Sequence, residues 1–540
     1  MTGPSRRLPD FPSAVTVAAW ERHSGGPVDP DDLRATLAAG SLPQVFHQTA
    51  VEAGDRPAVC VDGESASYRE LDDSAGRIAA WLRERGIGLG ERVLLCGPNS
   101  LGFVVAYVGT LRAGCVVVLA GSGLTERELE HMVRHSGAAA GFAAGDAHGR
   151  LSAVATRTGL DPVIALDLDV SPTLAEVSAG PATLAPAELD PNDVAVIAYT
   201  SGTTGAPKGA ALSHANVLSS LRGIMIAWRW SRDDVLVHAL PMSHQHGMAG
   251  LQVTLLAGSR AVIHRALDPK ALCTAIERER ATVLFSVPAV YERLLSWGEA
   301  TQAQFSSLRL ATSGSAPLGP ELWERTAGLI GREPVERYGT TESGLDVSNP
   351  YEGPRKPGAV GVPLPGVEMH VVDAEGKVVD TGTDGEVVVR GPQVLAGYWA
   401  DQQASPESFF VGGWFRTGDI GRIDPADGYL SITGRIKDLI ISGGMNVYPR
   451  EVELVLEQHP TVQRAAVVGV PSKRWGEQVV AFVVPTEGPV RSEEIREYAR
   501  GMLAPYKSPK AVLEADELPF DGFGKLRRAE LVEMAIKELD

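Results

Sequence analysis

The chain has 540 residues, 44% hydrophobic and 22% charged; the length calls for roughly two to four domains, and the composition excludes long-range disorder. Lys and Arg number 50 against 67 Asp and Glu, a formal net charge of −17. That balance excludes a surface built mainly to hold nucleic acid or anionic lipid, where cations must dominate, and leaves open a local basic pocket for a phosphate.

The first residues, MTGPSRRLPDFPS, carry two arginines with no apolar stretch behind them, so they do not read as a secretory signal, and residues 1–40 stay an unassigned leader. Leu71, Ala75, Ile78 and Leu82 repeat at helical spacing and stop at Gly86. After the apolar run Arg92–Cys96, the window Leu101–Leu124 contains Arg112 and several glycines. It predicts a helix ending near Gly114 and a strand Cys115–Ala120 rather than a membrane span, because a charge at the bilayer centre costs about 3 kcal/mol. Thr125 and Glu128 have the spacing of a capping box. Alternating strands and helices of this length indicate parallel βαβ units. The rhythm returns after a polar stretch near 171–193, with a strand Val194–Tyr199, a loop, and a helix from about Ser213.

Beyond Pro350 short β-rich pieces (Glu368-MHVVD, Gly385-EVVVRG, Gly428-YLSITG) predict an antiparallel or barrel-like module. The last hundred residues predict an α+β unit: a helix opening at Pro449, strands over Arg464–Val470 and Gln478–Pro485, and a polar helix near Ser492–Met502. Cys60, Cys96, Cys115 and Cys273 are far apart, contain no C-x-x-C pair and suit buried thiols in a reducing compartment. The chain reads as cytoplasmic, without stable membrane insertion.

Five loop segments carry chemistry. Tyr199-Thr-Ser-Gly-Thr-Thr-Gly-Ala-Pro-Lys-Gly209 is expected between a strand and a helix, where free backbone N–H groups meet anions. Its hydroxyls Thr200, Ser201, Thr203 and Thr204, its glycines Gly202 and Gly205, and Lys208 could surround a polyphosphate, although the spacing is not that of a Walker A loop. Glu336-Arg-Tyr-Gly-Thr-Thr-Glu-Ser343 offers Glu342 as a Mg²⁺ ligand beside phosphate oxygens. Trp414–Asp419, then Gly434–Asp438 with Ile441–Pro449, and finally Gly522-Phe-Gly-Lys525 complete the set. Asp419 could accept hydrogen bonds from ribose hydroxyls.

In this order the five segments resemble the adenylate-forming superfamily of acyl-CoA synthetases, adenylation domains and luciferases, from about Val45 to Arg528. The resemblance implies an α/β fold: a large N-terminal domain (1–434) of doubly wound sheets plus a barrel-like sheet, and a smaller mobile α+β C-terminal domain (435–540). It implies ATP, Mg²⁺ and CoA, with the loop Thr200–Lys208 on the β- and γ-phosphates. Gly314, Ser315, Ala316, Tyr338, Gly339 and Thr340 would border the nucleotide, with Asp419 and Arg435 on ribose. Thr341 and Glu342 would act at the phosphate and Mg²⁺, with Thr204 a second metal-side hydroxyl. Lys525 is expected as the catalytic lysine, Lys437 as the hinge, and Ser442, Gly443 and Gly444 beside CoA.

Within that superfamily Leu240–Gly247, Ala281–Arg293, Ser313–Pro317 and Glu336–Gly339 look like malonyl-CoA synthetases. A dicarboxylate leaves a second charge to be met, and His244, Arg293 and Ser313 are the expected acid-binding groups, with Thr340 alongside. Thr340 stands where that subfamily has Met, and Ser243 where it has an aromatic, so a bulkier or more polar acid fits too. The expected partners are a small-molecule acid, ATP and CoA. A specialised acid such as nitrite, transfer to an amine or a carrier-protein thiol, and a homo-oligomer all stay open. A catalytically dead nucleotide-binding regulator has no need of Lys208, Glu342 and Lys525 together.

Overall fold

The structure, a computed structural model, describes residues 12–167, 171–180, 184–200, 207–401, 404–442, 445–472, 474–520 and 526–539. They fall into two compact units, Met1–Met369 with Val389–Phe415, and His370–Val388 with Arg416–Asp540.

The first unit contains two doubly wound sheets. One has nine strands, with Val335–Tyr338, Leu310–Ser313, Val283–Ser286, Val235–His238, Arg260–Ile263 and Pro57–Val61 as parallel neighbours. The other has seven strands, with Val194–Thr200, Val116–Ala120, Arg92–Cys96, Ala138–Ala143 and Val163–Ala165 parallel. Val116–Ala120 is buried along its whole length, the reason its sequence is a continuous apolar run rather than an alternating one. The helix Tyr68–Glu84 opens with a capping box of Ser67 and Glu70, and Glu126–Ser136 with the expected one of Thr125 and Glu128. Leu101–Arg112 is a buried helix capped by Ser100, and its terminal Arg112 is neutralised by an ion pair with Asp72. All four cysteines are buried and free.

The sequence expectation differs from the structure at two places here. The loop after Val194–Thr200 does not run into a helix: it turns back into a second strand, Lys208–Ser213, antiparallel to the first, with Thr200 opposite Lys208. Ser213 then caps the helix His214–Ala227. Thr200 and Lys208 therefore stand at facing ends of two antiparallel strands. The run Lys208–Ser213 was too short and too rich in small residues to announce a strand. Second, the leader's described part is structured: Ala14–Ser24 and Pro30–Ala38 are helices. Trp20 is fully buried and donates from Nε1 to the Val367 carbonyl at 2.8 Å, and Arg222 donates to the carbonyls of Thr36, Leu37 and Ala39.

The β-rich pieces Glu368–Val372, Gly385–Arg390, Trp414–Ile423 and Leu430–Arg435 are strands of a five-stranded sheet. In the second unit Val462–Ser472 and Gly476–Pro485 form a long antiparallel hairpin, flanked by Ile440–Ser442 and Ala511–Glu514. Strand alternation splits its core in two. Val467, Val479 and Ala481 pack with Val452, Leu456 and Ile495, whereas Ala466, Val468, Val480 and Phe482 pack with Leu531 and Ala535. Ser492–Met502 is helical as expected; Arg528–Leu539 is a further helix that the sequence pattern did not announce. Among the described residues no helix is long and apolar enough to cross a membrane.

Candidate functional site

Within the first unit the chemistry gathers beyond the carboxyl ends of the parallel strands, where an open α/β sheet leaves room for a ligand. Of the Thr200–Lys208 loop, Thr200 and Lys208 are described; Ser201, Gly202, Thr203, Thr204 and Gly205 lie outside the described residues, as do Gly443, Gly444 and Lys525. The short strand Gly397–Tyr398 pairs with Ala210–Ala211, and this edge pairing sets Tyr398 beside Lys208. The Lys208 ammonium stands 5.4 Å from the centre of the Tyr398 ring, and the Tyr398 hydroxyl donates to Glu342 Oε1 at 3.0 Å. One tyrosine thus joins the loop's cation to the carboxylate. Tyr398 was not among the sequence candidates, because an aromatic in a Gly-Tyr-Trp run has no local mark of function.

The stem of the loop is held by two histidines. His135 Nδ1 lies 2.9 Å from the Tyr199 hydroxyl, and His131 Nε2 lies 3.3 Å from the Pro207 carbonyl. They are i and i+4 on the helix Glu126–Ser136 and stack at 5.4 Å.

Glu342 rides on a tight turn. The N–H of Gly344 donates to the Thr340 carbonyl at 2.9 Å, Thr340 Oγ1 and Ser343 Oγ are 2.8 Å apart, and Ser343 donates onward to Asp346. This leaves Thr341 and Glu342 half-buried at the tip. A carboxylate beside hydroxyls fits Mg²⁺, which takes one or two protein carboxylates and fills the rest of its octahedron with other oxygens.

Next to this turn, Gly314, Ser315 and Ala316 follow the strand Leu310–Ser313, and Tyr338 ends the neighbouring strand Val335–Tyr338. Ser315 adopts φ +66, a left-handed conformation rare outside glycine, which turns its hydroxyl to 3.0 Å from His246 Nδ1. His244 is exposed at the N-terminal cap of the helix Gln245–Ala257, whereas His246, two residues on, turns inward against Phe285. Arg293 is exposed on the helix Pro288–Trp297, which buries Val290, Tyr291 and Leu294 instead. The inward guanidinium is that of Arg337. Burial pushes its pKa down to about 9, and burial with the charge of Arg337 pushes His246 well below the ordinary histidine value. Several polar atoms here are sealed from solvent without a hydrogen-bond partner: Ser313 Oγ, Thr312 Oγ1, Gln245 Oε1, His246 Nε2 and Arg337 Nη2. Glu336, on the same strand, is buried and accepts from the Gly358 N–H, with its pKa raised to about 8 by desolvation.

In the second unit Asp419 and Arg435 face each other across the ladder of Trp414–Ile423 and Leu430–Arg435, joined by a 2.8 Å ion pair. Asp419 is buried and Arg435 exposed, so the pair presents one fixed carboxylate beside a solvent-facing guanidinium. Lys437 is exposed in the single turn Ile436–Asp438, and Ser442 is buried at the end of the strand Ile440–Ser442. A cavity of about 260 Å³ is lined by Arg496, Arg500, Pro505, Ser508, Pro509 and Lys510. Its cations crowd one another: burial and the charges of Arg496 and Arg500 hold the Lys510 ammonium below its usual pKa.

Residues 46–399 match the AMP-binding enzyme family, and residues 451–525 match the AMP-binding enzyme C-terminal domain. The long-chain-fatty-acid–CoA ligase of Escherichia coli O157:H7 is 35% identical, covering 93% of this chain and 95% of its own. The mitochondrial malonate–CoA ligase of Bos taurus is 33% identical, over 98% and 96%. Among solved structures, ATP-bound MatB from Rhodopseudomonas palustris superposes with a TM-score of 0.87 at 36% identity, covering 92% of this chain and all of that one.

Proposed function

Because this chain belongs to the AMP-binding enzyme family and is an AMP-forming acid–thiol ligase, we propose that it activates a small, polar carboxylic acid, malonate-like, as the acyl-adenylate and passes it to CoA. The observation that carries the choice of acid is the set of sealed polar atoms around Ser313, Gln245 and His246. A long alkyl chain placed there would leave every one of them unpaired, at about 1–3 kcal/mol each, whereas a short polar acid pairs them.

The substrate carboxylate attacks the α-phosphorus of ATP, and pyrophosphate leaves. Lys208, held over Tyr398, balances charge on the leaving group, and Glu342 with Thr341 holds the metal side. Mg²⁺ held by Glu342 and Thr341 would neutralise phosphate charge. Asp419 takes the ribose hydroxyls, Arg435 steadying its carboxylate. Lys525 bridges the attacking and α-phosphate oxygens. Rotation of 435–540 about Lys437 then withdraws Lys525 and admits CoA past Ser442, Gly443 and Gly444. The cationic cavity at Arg496, Arg500 and Lys510 suits the phosphates of CoA. A reducing, cytoplasmic setting suits the four free thiols.

A pyrophosphate-release screen over malonate, methylmalonate, aryl, fatty and inorganic acids, with and without CoA and read by mass, tests this. Malonate-like acids are expected to lead and to give thioester. Adenylate without thioester, or product only with an amine, a carrier protein or nitrite, would overturn the CoA assignment. Glu342→Gln is expected to lower adenylate formation about a hundredfold and to raise the Mg²⁺ concentration needed for half-maximal rate. An unchanged Mg²⁺ titration would remove Glu342 from the metal.

A further inference from the structure

We infer that the leader, residues 12–40, is a positioning element of the nucleotide site: it clamps the strand that backs the turn 340–344 and so fixes where Thr341 and Glu342 stand. The inference rests on the reading of Glu342 as the metal-side carboxylate. The family match begins at residue 46, so the leader lies outside the segment that defines the family. It is nevertheless tied down by specific side chains. Trp20 Nε1 donates to the Val367 carbonyl at 2.8 Å, and His23 Nε2 lies 3.3 Å from the Val362 carbonyl. Arg34 pairs with Glu368, a buried carboxylate that Arg390 also holds, at 2.8 Å. Arg222 Nη1 donates to the carbonyls of Thr36, Leu37 and Ala39, which satisfies the end of the helix Pro30–Ala38. Three of these four anchors fall on residues 362–368.

That stretch lies one strand away from the turn. Val362–Pro363 pairs antiparallel with Val347–Ser348, which pairs antiparallel with the end of Val335–Tyr338. The turn 340–344 joins the last two. The Leu364 N–H donates to the Asp346 carbonyl at 2.8 Å, and the Asp346 N–H to the Tyr338 carbonyl at 3.0 Å. Leu37 reaches closest. It is 1% exposed and seats on Gly366, at φ +87, where a Cβ would stand 2.5 Å from Leu37 Cδ1. It lines one narrow gap with Leu345 and Gln393. Leu345 directly follows the turn and donates its N–H to Ser220 Oγ at 3.0 Å. Gln393 donates to Asp346 Oδ1 at 3.1 Å, and Asp346 also accepts from the Ser343 hydroxyl. Leu37 thus fills the space behind the hydrogen bonds that shape the turn. Mg²⁺ demands a near-ideal octahedron with ligands at about 2.0–2.1 Å, so a carboxylate on a loosened turn holds it poorly even where the fold survives.

The test compares Leu37→Ala with Leu151→Ala in the full chain. Leu151 is fully buried on the helix Asp146–Thr158 among Leu94, Val154 and Leu160, so its truncation leaves a like cavity in a different part of the same unit. Both variants are expected to melt several degrees lower. Only Leu37→Ala is expected to raise the Mg²⁺ concentration for half-maximal pyrophosphate release, about tenfold, with the KM for the acid unmoved. By isothermal titration its affinity for ATP in EDTA is expected to hold while the gain on adding Mg²⁺ shrinks, and Leu37→Met is expected to restore both. If Leu37→Ala fails to fold, Arg222→Met takes its place, because it frees the end of the second leader helix without opening a core. An unmoved Mg²⁺ titration, or the same shift in Leu151→Ala, overturns the proposal and makes the leader a cover only. Failure of the underlying reading looks different: Glu342→Gln itself would leave the Mg²⁺ titration unchanged.

Discussion

Replacing Lys525 with alanine is expected to lower acyl-adenylate formation about a thousandfold, while preformed adenylate is still converted to thioester. Two anions have to meet in the first half-reaction, the carboxylate and the α-phosphate, and their repulsion is the barrier that a bridging ammonium removes. A preorganised donor of that kind is worth about a hundred- to a thousandfold in rate, or roughly 3–4 kcal/mol. The second half-reaction starts from a mixed anhydride whose carboxylate charge is gone, and a thiol attacks its acyl carbon without needing that cation. The check is a pair of assays on one preparation: pyrophosphate release from acid and ATP, and thioester formation from synthetic adenylate and CoA. Parallel loss in both would show that the lysine acts on binding or folding, and its role as the adenylation residue would go.

The second large effect is expected from Gly339→Ala. A Cβ at this position would meet the Gly344 carbonyl oxygen at 2.0 Å and the Leu345 Cα at 2.9 Å, both backbone atoms that no rotamer change can move. Gly344 is itself at φ +71, and a Cβ there would lie 2.5 Å from Ser220 Oγ. The turn Thr340–Gly344 therefore closes on one glycine and is pinned by another. Opening it costs about 1–3 kcal/mol, the range of overpacking against rigid surroundings. Because Thr341 and Glu342 stand on this turn, the loss is expected twice: a melting temperature lower by several degrees, and little or no further stabilisation on adding ATP with Mg²⁺. Thermal melts with and without nucleotide read both. A normal melt with a normal nucleotide shift would mean that the turn relaxes around the methyl group at no cost.

How much of the fold and site is legible in the sequence varies from element to element. Capping at Thr125 and Glu128, the buried run before Ala120, and the helix Ser492–Met502 were all readable, since each depends on neighbours within a few residues. The hairpin return at Lys208–Ser213 was not readable, because its partner strand, not its own composition of Gly and Ala, makes it a strand. Helices in the leader escaped for a similar reason. Trp20 and Leu37 gain their burial from residues more than a hundred positions away.

Taken alone, the order of amino acids determined the family, the α/β class, and the residue types able to handle a triphosphate and a metal, because those demands are written in short, ordered segments. Only the folded chain decided which arginine and which histidine turn inward, Arg337 and His246 rather than Arg293 and His244, and that Tyr398 joins Lys208 to Glu342. The physical reason is range. Spacing along a helix or strand reports on a few neighbours, whereas burial of a charge and the meeting of two loops follow from the sheet order that brings distant strands side by side.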